Sequence, residues 1–258
     1  MIRITLPIHA PNILLTNGLA ENTANIILYT TNSALYNSGK TKFLFKNTLY
    51  GAMEVKNALR TAHNDKCCYC ETIFSASSYG AVEHYRPKGA VKEGKKKKFP
   101  GYYWLAYDFT NLLYICERCN TNKGSKFPLM DPSKRANNHN DSIAGELPYF
   151  LHPGFEDPAI HLKFINDAPV ALSPRGSKMI EIMELDRLEL VENRNKTLQI
   201  LEALMDLARV THHQNRDMGL YNKTLDSIRK YLSLKSEYTA MNNSYFSKYA
   251  AESAFANI

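Results

Sequence analysis

The chain has 258 residues, 44% of them hydrophobic and 22% charged, an ordinary globular balance that allows a buried core and excludes a low-complexity or disordered protein. Its net charge of +7 favours polyanionic partners, and its five cysteines, an odd count, argue against a disulfide framework. No stretch reaches the roughly 20 apolar residues of a bilayer span, and the first ten residues lack the apolar run of a secretory signal, so a cytoplasmic protein with no membrane partner is expected.

Residues 1–66 read as an arm followed by helices. Ile2, Ile4 and Leu6 alternate in a short strand-like piece that Pro7 and Pro11 break. Two amphipathic stretches follow, Glu21 to Tyr36 and Thr48 to His63. In the second, Ala52, Val55, Leu59 and Ala62 fall at helical spacing. Residues 67–130 read as a knuckle, a hairpin and a short helix, with strand pieces at Ala81 to Tyr85 and Leu112 to Ile115 flanking a basic insertion. Between Tyr85 and Lys98 seven basic residues stand against one acid, Glu93, so this stretch holds six of the seven net charges. Residues 131–175 form a loop-rich appendage, punctuated by Pro132, Pro148, Pro153 and Pro158, with a strand-like Ile160 to Ile165. From 176 to 258 apolar residues at helical spacing, among them Met179, Met183, Leu188, Leu201, Leu225 and Ile228, predict a helical C-terminal region. The fold class expected is α+β, predominantly helical.

Four cysteines make two C-x-x-C pairs, Cys67/Cys70 and Cys116/Cys119, with Cys68 left over. Zn²⁺ takes four tetrahedral thiolate or imidazole ligands, and each C-x-x-C turn supplies two. With its shell filled by protein, this zinc is expected to be structural, a staple between segments far apart in sequence. The bland alternative is buried cysteines acting as small hydrophobes.

Between the knuckles lies Val82-Glu83-His84-Tyr85-Arg86-Pro87-Lys88, and around the second lies Asn111-Leu112, then Cys116-Glu117-Arg118-Cys119-Asn120, with Lys123 three residues on. In this order the motifs resemble the HNH endonuclease family. With Tyr103-Trp104-Leu105-Ala106-Tyr107 and Lys126-Phe127-Pro128-Leu129, they more narrowly resemble the HNH nucleases that partner ABC-type ATPases in Septu and retron antiphage systems. The resemblance implies a ββα-metal (His-Me finger) core, DNA as substrate, and products with 5′ phosphate and 3′ hydroxyl ends. It also implies that Asn111 pins the loop holding the general base.

The residue types make chemical sense on their own. Phosphodiester hydrolysis needs a base for water and a cation for the developing charge. His84 fits the base. Glu83 and Asn120 offer oxygens suited to Mg²⁺ or Mn²⁺, an open site distinct from the zinc. The chain departs from the family pattern at Asn120, where many members have a third His, and at Glu83, where many have Asp.

Arg86, Lys88, Lys95, Lys96, Lys97, Lys98, Lys123 and Lys126 are the expected nucleic-acid contacts. For the Lys92 to Lys98 run the alternative is a disordered, solvated loop, and for Lys123 and Lys126 a solvated helix end. Phosphate contacts locate a protein without reading bases, so little sequence specificity is expected. His139, His152, His161, His212 and His213 match no ligand spacing and read as surface or core residues. The chain contains no G-x-x-x-x-G-K-[ST] loop, so ATP binding is assigned to a partner protein that the C-terminal helices are expected to dock. The competing reading is a zinc-ribbon-like module that binds nucleic acid or protein without cutting.

Overall fold

The computed structural model describes residues 1–214 and 217–258. Residues 1–10 run as an extended arm without strand pairing, Ile4 N donating to Pro153 O at 3.0 Å. A π-helical turn, Leu14–Gly18, leads into α1 (Leu19–Asn37), and α2 (Asn47–Tyr50) and α3 (Met53–Ala62) follow. Val55 and Leu59 of α3 are fully buried, as their helical spacing implies.

Strand β1 (Ala81–His84) pairs antiparallel with β4 (Leu112–Ile115), in the register Glu83 opposite Leu113 and His84 opposite Leu112. Between them β2 (Val91–Glu93) and β3 (Lys96–Lys98) form a separate antiparallel hairpin. The lysine run is thus an ordered hairpin, not a loose loop. Val91 is buried beneath it, Lys92 N donates to Ser125 O at 2.8 Å, and Arg135 Nε donates to Glu93 at 2.7 Å. Helix α4 (Glu117–Lys123) begins where the Cys116 sulfur accepts from Cys119 N, and it ends at Gly124, whose φ of +49° suits glycine.

The appendage holds β5 (Leu162–Ile165) and β6 (Ala168–Ala171), paired antiparallel. Ser173 then caps α5 (Pro174–Met183) by accepting from Gly176 N, with Pro174 at the first helical position. The C-terminal region is helical, as expected: α6 (Leu188–Gln214), α7 (Met218–Leu232) and α8 (Thr239–Phe246). No helix among the described residues is long and apolar enough to cross a membrane.

The main core is centred on β4, every residue of which is buried, and it gathers side chains from Met1 to Met241. It includes Met179, Met183, Leu185, Leu190 and Leu198, so the boundary expected near residue 175 falls inside one continuous core. A second cluster, Leu201, Met205, Tyr221, Leu225, Ile228, Phe246 and Phe255, belongs to the C-terminal helices alone. Leu188, expected on the apolar face, is 68% exposed.

Candidate active site and metal centre

The two C-x-x-C turns meet because β4 runs directly into α4 while the first knuckle is bonded to the same strand, Cys68 N donating to Tyr114 O at 3.0 Å. The ligand sulfurs of Cys67, Cys70, Cys116 and Cys119 all lie within 4.8 Å of one another, and Cys70 and Cys116 are 3.8 Å apart. A tetrahedral ion with Zn–S bonds of about 2.3 Å sets its sulfurs roughly 3.8 Å apart, so the donor set fits a metal ion such as zinc. Arg187 stands beside the cluster. Burial opposes its charge, but the sulfurs of Cys119, Cys70 and Cys116 outweigh this and hold its pKa above the ordinary value. Among the described residues no other group of His, Cys, Asp or Glu gathers for a metal. His152 is a buried core histidine bonded to Thr110 O, and His161 bonds Ser173.

His84 closes β1 and is 3% exposed. Its Nε2 lies 2.9 Å from Ala106 O, a carbonyl that can only accept, so Nε2 carries the proton and Nδ1 the lone pair. Nδ1 accepts from Lys88 Nζ at 3.2 Å. Burial and the ammonium groups of Lys88 and Lys123 hold the imidazole well below its usual pKa, so it is neutral at cellular pH. The Tyr50 ring meets it edge-on at 4.7 Å.

Asn111 fixes the backbone on both sides of this ring. Its Oδ1 accepts from Arg86 N at 2.8 Å, and its Nδ2 donates to Arg86 O and to Leu105 O at 3.1 Å each. Its own carbonyl accepts from Tyr85 N at 2.8 Å. The chain leaving His84 and the chain bearing Ala106 O are therefore tied to one side chain.

Glu83 lines the same cleft, and one carboxylate oxygen accepts from Lys123 Nζ at 2.6 Å. Lys123 also donates to His84 O at 2.8 Å. Lys123 is fully buried, which corrects the expectation that it meets phosphate: an ammonium with no exposed surface cannot reach a polyanion. Arg86 is corrected for a similar reason. Its guanidinium pairs with the buried Glu146 at 2.8 Å and lies over the rings of Tyr85 and Phe127. Asn120 lies one turn before Lys123 on α4, partly exposed, with no side-chain hydrogen bond among the described residues.

The cleft around His84 has a volume of about 410 Å³ and is lined by Lys42, Phe45, Lys88, Lys97 and Ser125 as well as by Glu83 and His84. Lys95, Lys96 and Lys97 are exposed on the hairpin and Lys98 is half-buried. Lys126 is elsewhere: its Nζ donates to Asn122 O at 2.8 Å, and it lines a separate hollow of about 450 Å³ that contains neither His84 nor Glu83. Sequence reasoning missed Tyr50, Phe45 and Lys42, which come from outside the motif, and Glu146, whose carboxylate also accepts from Tyr102 and Ala136 N. Nothing in their local sequence marks them.

Over 208 residues, 75% of this chain, the sequence is 36% identical to a protein of Bacillus mycoides (strain KBAB4) named Septu protein PtuB, 69% of which is covered. A Septu protein PtuB of Bacillus thuringiensis is 27% identical over 168 residues, 63% of this chain and 54% of that one. A Septu protein PtuA of the same B. mycoides strain is 28% identical over 134 residues, 51% of this chain but 19% of that protein. No family model matches the chain, and no solved structure does.

Proposed function

The chain belongs to the Septu PtuB family, and on that footing we propose that it is a component of an antiphage defence system that acts as an HNH-type, metal-dependent DNA endonuclease. The observation that carries this reading is the fixed tautomer of His84: a neutral imidazole with its lone pair on Nδ1, beside a carboxylate, in a cleft lined by lysines. In the proposed reaction a water attacks phosphorus and gives its proton to Nδ1, while the 3′ oxygen leaves and takes a proton from solvent. The reading is supported by the strand pair β1–β4 followed by α4, the order of a ββα unit, with Cys67, Cys70, Cys116 and Cys119 as its scaffold.

Glu83 has a carboxylate oxygen that Lys123 does not engage and Asn120 a carboxamide with no hydrogen bond among the described residues, and in this reading these two would hold a hard cation. A Mg²⁺ or Mn²⁺ ion there would supply positive charge for the pentacovalent phosphate and the leaving oxygen. Lys97 and the exposed hairpin lysines hold the duplex by its backbone, giving affinity with little base preference. Control is assigned to an ATP-hydrolysing partner, since the sequence contains no G-x-x-x-x-G-K-[ST] motif.

The deciding experiment is His84→Ala. We expect unchanged zinc content and a retained cooperative melting transition, lowered by the loss of a buried side chain, together with loss of Mg²⁺- or Mn²⁺-dependent cleavage by at least about 100-fold, the usual scale of a general base. A variant cutting at the original rate ends the nuclease assignment. A second reading, a binding module without chemistry, draws on the fact that both ring nitrogens of His84 already have protein partners. It requires that the wild-type protein bind DNA and never cut it, even beside its partner.

A further inference from the structure

Lys88 stands in an unusual place for a lysine. Its ammonium lies 3.2 Å from His84 Nδ1, 4.4 Å from the centre of the Tyr50 ring and 5.7 Å from that of Phe45. No carboxylate pairs with it within 4.0 Å among the described residues. The nitrogen it caps is the one proton-accepting nitrogen of His84, since Nε2–H is spent on Ala106 O. While that contact stands, the lone pair is engaged by Lys88.

The cap is attached to a fixed backbone. Tyr102 N donates to Pro87 O at 2.9 Å and Gly101 N to Gly89 O at 3.1 Å. A side chain on Gly101 would bring its Cβ within 2.3 Å of Pro87 O, so glycine is what allows the two segments to lie this close. The ammonium itself, at the end of four flexible methylenes, can move within the cleft.

We propose that Lys88 is a substrate-displaced cap: in the free protein its ammonium occupies the lone pair of His84 Nδ1, and an entering phosphodiester draws it onto a non-bridging oxygen, which uncovers the base. The inference rests on the nuclease reading of this cleft. An anionic oxygen outcompetes a neutral imidazole for an ammonium. Burial has already pulled the Lys88 pKa down to about 8, with Lys123 adding to the effect and Glu83 opposing it, so the site under-compensates this charge until an anion arrives. Base exposure then follows binding, and idle activation of water is avoided.

The test uses the full-length, zinc-loaded, ¹⁵N-labelled protein with a 12-base-pair duplex and no added Mg²⁺ or Mn²⁺. In the free protein, Lys88→Met moves the His84 Nδ1 resonance toward that of an unbonded acceptor, and adding duplex to the wild type produces the same displacement. In parallel, Lys88→Met lowers the slope of log K against log salt by about 0.9, one phosphate contact, whereas Lys88→Arg keeps it. An unchanged Nε2–H signal and zinc content certify that each variant is folded. A wild-type Nδ1 signal that stays put on a bound duplex, or a slope untouched in Lys88→Met, overturns the cap while leaving the nuclease reading intact. Both signatures present in a protein that never cuts would retain the cap and remove the nuclease reading. A wild type that binds no duplex removes both.

Discussion

Lys123 carries more of the site than its place at a helix end suggests. A fully buried ammonium joins α4 to β1 through Glu83 and His84 O and lies over the Phe150 ring at 5.5 Å. Removing one member of a buried pair leaves the other uncompensated, a loss of about 3–5 kcal/mol. Lys123→Met is therefore expected to lower the melting temperature sharply, and Glu83→Gln combined with it to recover part of that loss. A double-mutant cycle checks this, and additive effects would show that the pair does not couple. At this scale the motif residues His84, Glu83 and Asn111 were legible in the sequence, because each chemistry needs a particular side chain at a particular spacing. The orientation of Lys123 and Arg86 was not, since a lysine or arginine in a basic segment reads the same whether it faces solvent or a buried carboxylate.

Among the elements, the hairpin β2–β3 departs furthest from the sequence reading. Composition suggested a solvated loop, yet Val91, the Lys92–Ser125 hydrogen bond and the Glu93–Arg135 pair tether it to the core. Its register places Lys92 opposite Lys97 and Glu93 opposite Lys96. Two like charges directly across a strand pair are destabilising, so the Lys92/Lys97 pair costs the hairpin stability. We expect Lys95→Ala, Lys96→Ala and Lys97→Ala each to change stability by less than about 0.5 kcal/mol. Every lysine removed from the phosphate backbone is expected to flatten the salt dependence of DNA binding by about 0.9. Salt-titrated affinities of the single and triple variants check this, and a triple variant with the wild-type slope would exclude the hairpin from the interface. The strands β1 and β4 and the C-terminal helices, by contrast, follow directly from apolar periodicity.

For the whole molecule, the staple and the core are one system. The four sulfurs join the first knuckle to the β4–α4 junction, and Arg187, at the start of the helical region, stands against them. A structural zinc contributes roughly 10–16 kcal/mol of apparent binding energy, comparable to the entire stability of a typical domain at about 5–15 kcal/mol. Stripping the metal with a strong chelator is thus expected to abolish the near-ultraviolet circular dichroism of the tyrosine-rich core. Retention of that signal and of the melting transition would reduce the cysteines to ordinary core residues. A cut after Arg175 is no clean way to release a partner-docking region, because it also takes Met179, Met183, Leu185, Leu190 and Leu198 out of the main core. The sequence by itself determined the cysteine pairs, the acid–histidine and asparagine motifs, the alternation of strands and helices and the concentration of charge. These depend on residue type and short spacing, which local chemistry and periodicity read directly. Only the tertiary structure decided which nitrogen of His84 holds the lone pair, that Lys88 engages it, that Lys123 and Arg86 turn inward, that Phe45 lines the cleft and that Tyr50 packs edge-on against His84. Each of those outcomes depends on groups distant in sequence meeting in a low-dielectric interior, where burial and a partner's charge determine what a side chain does.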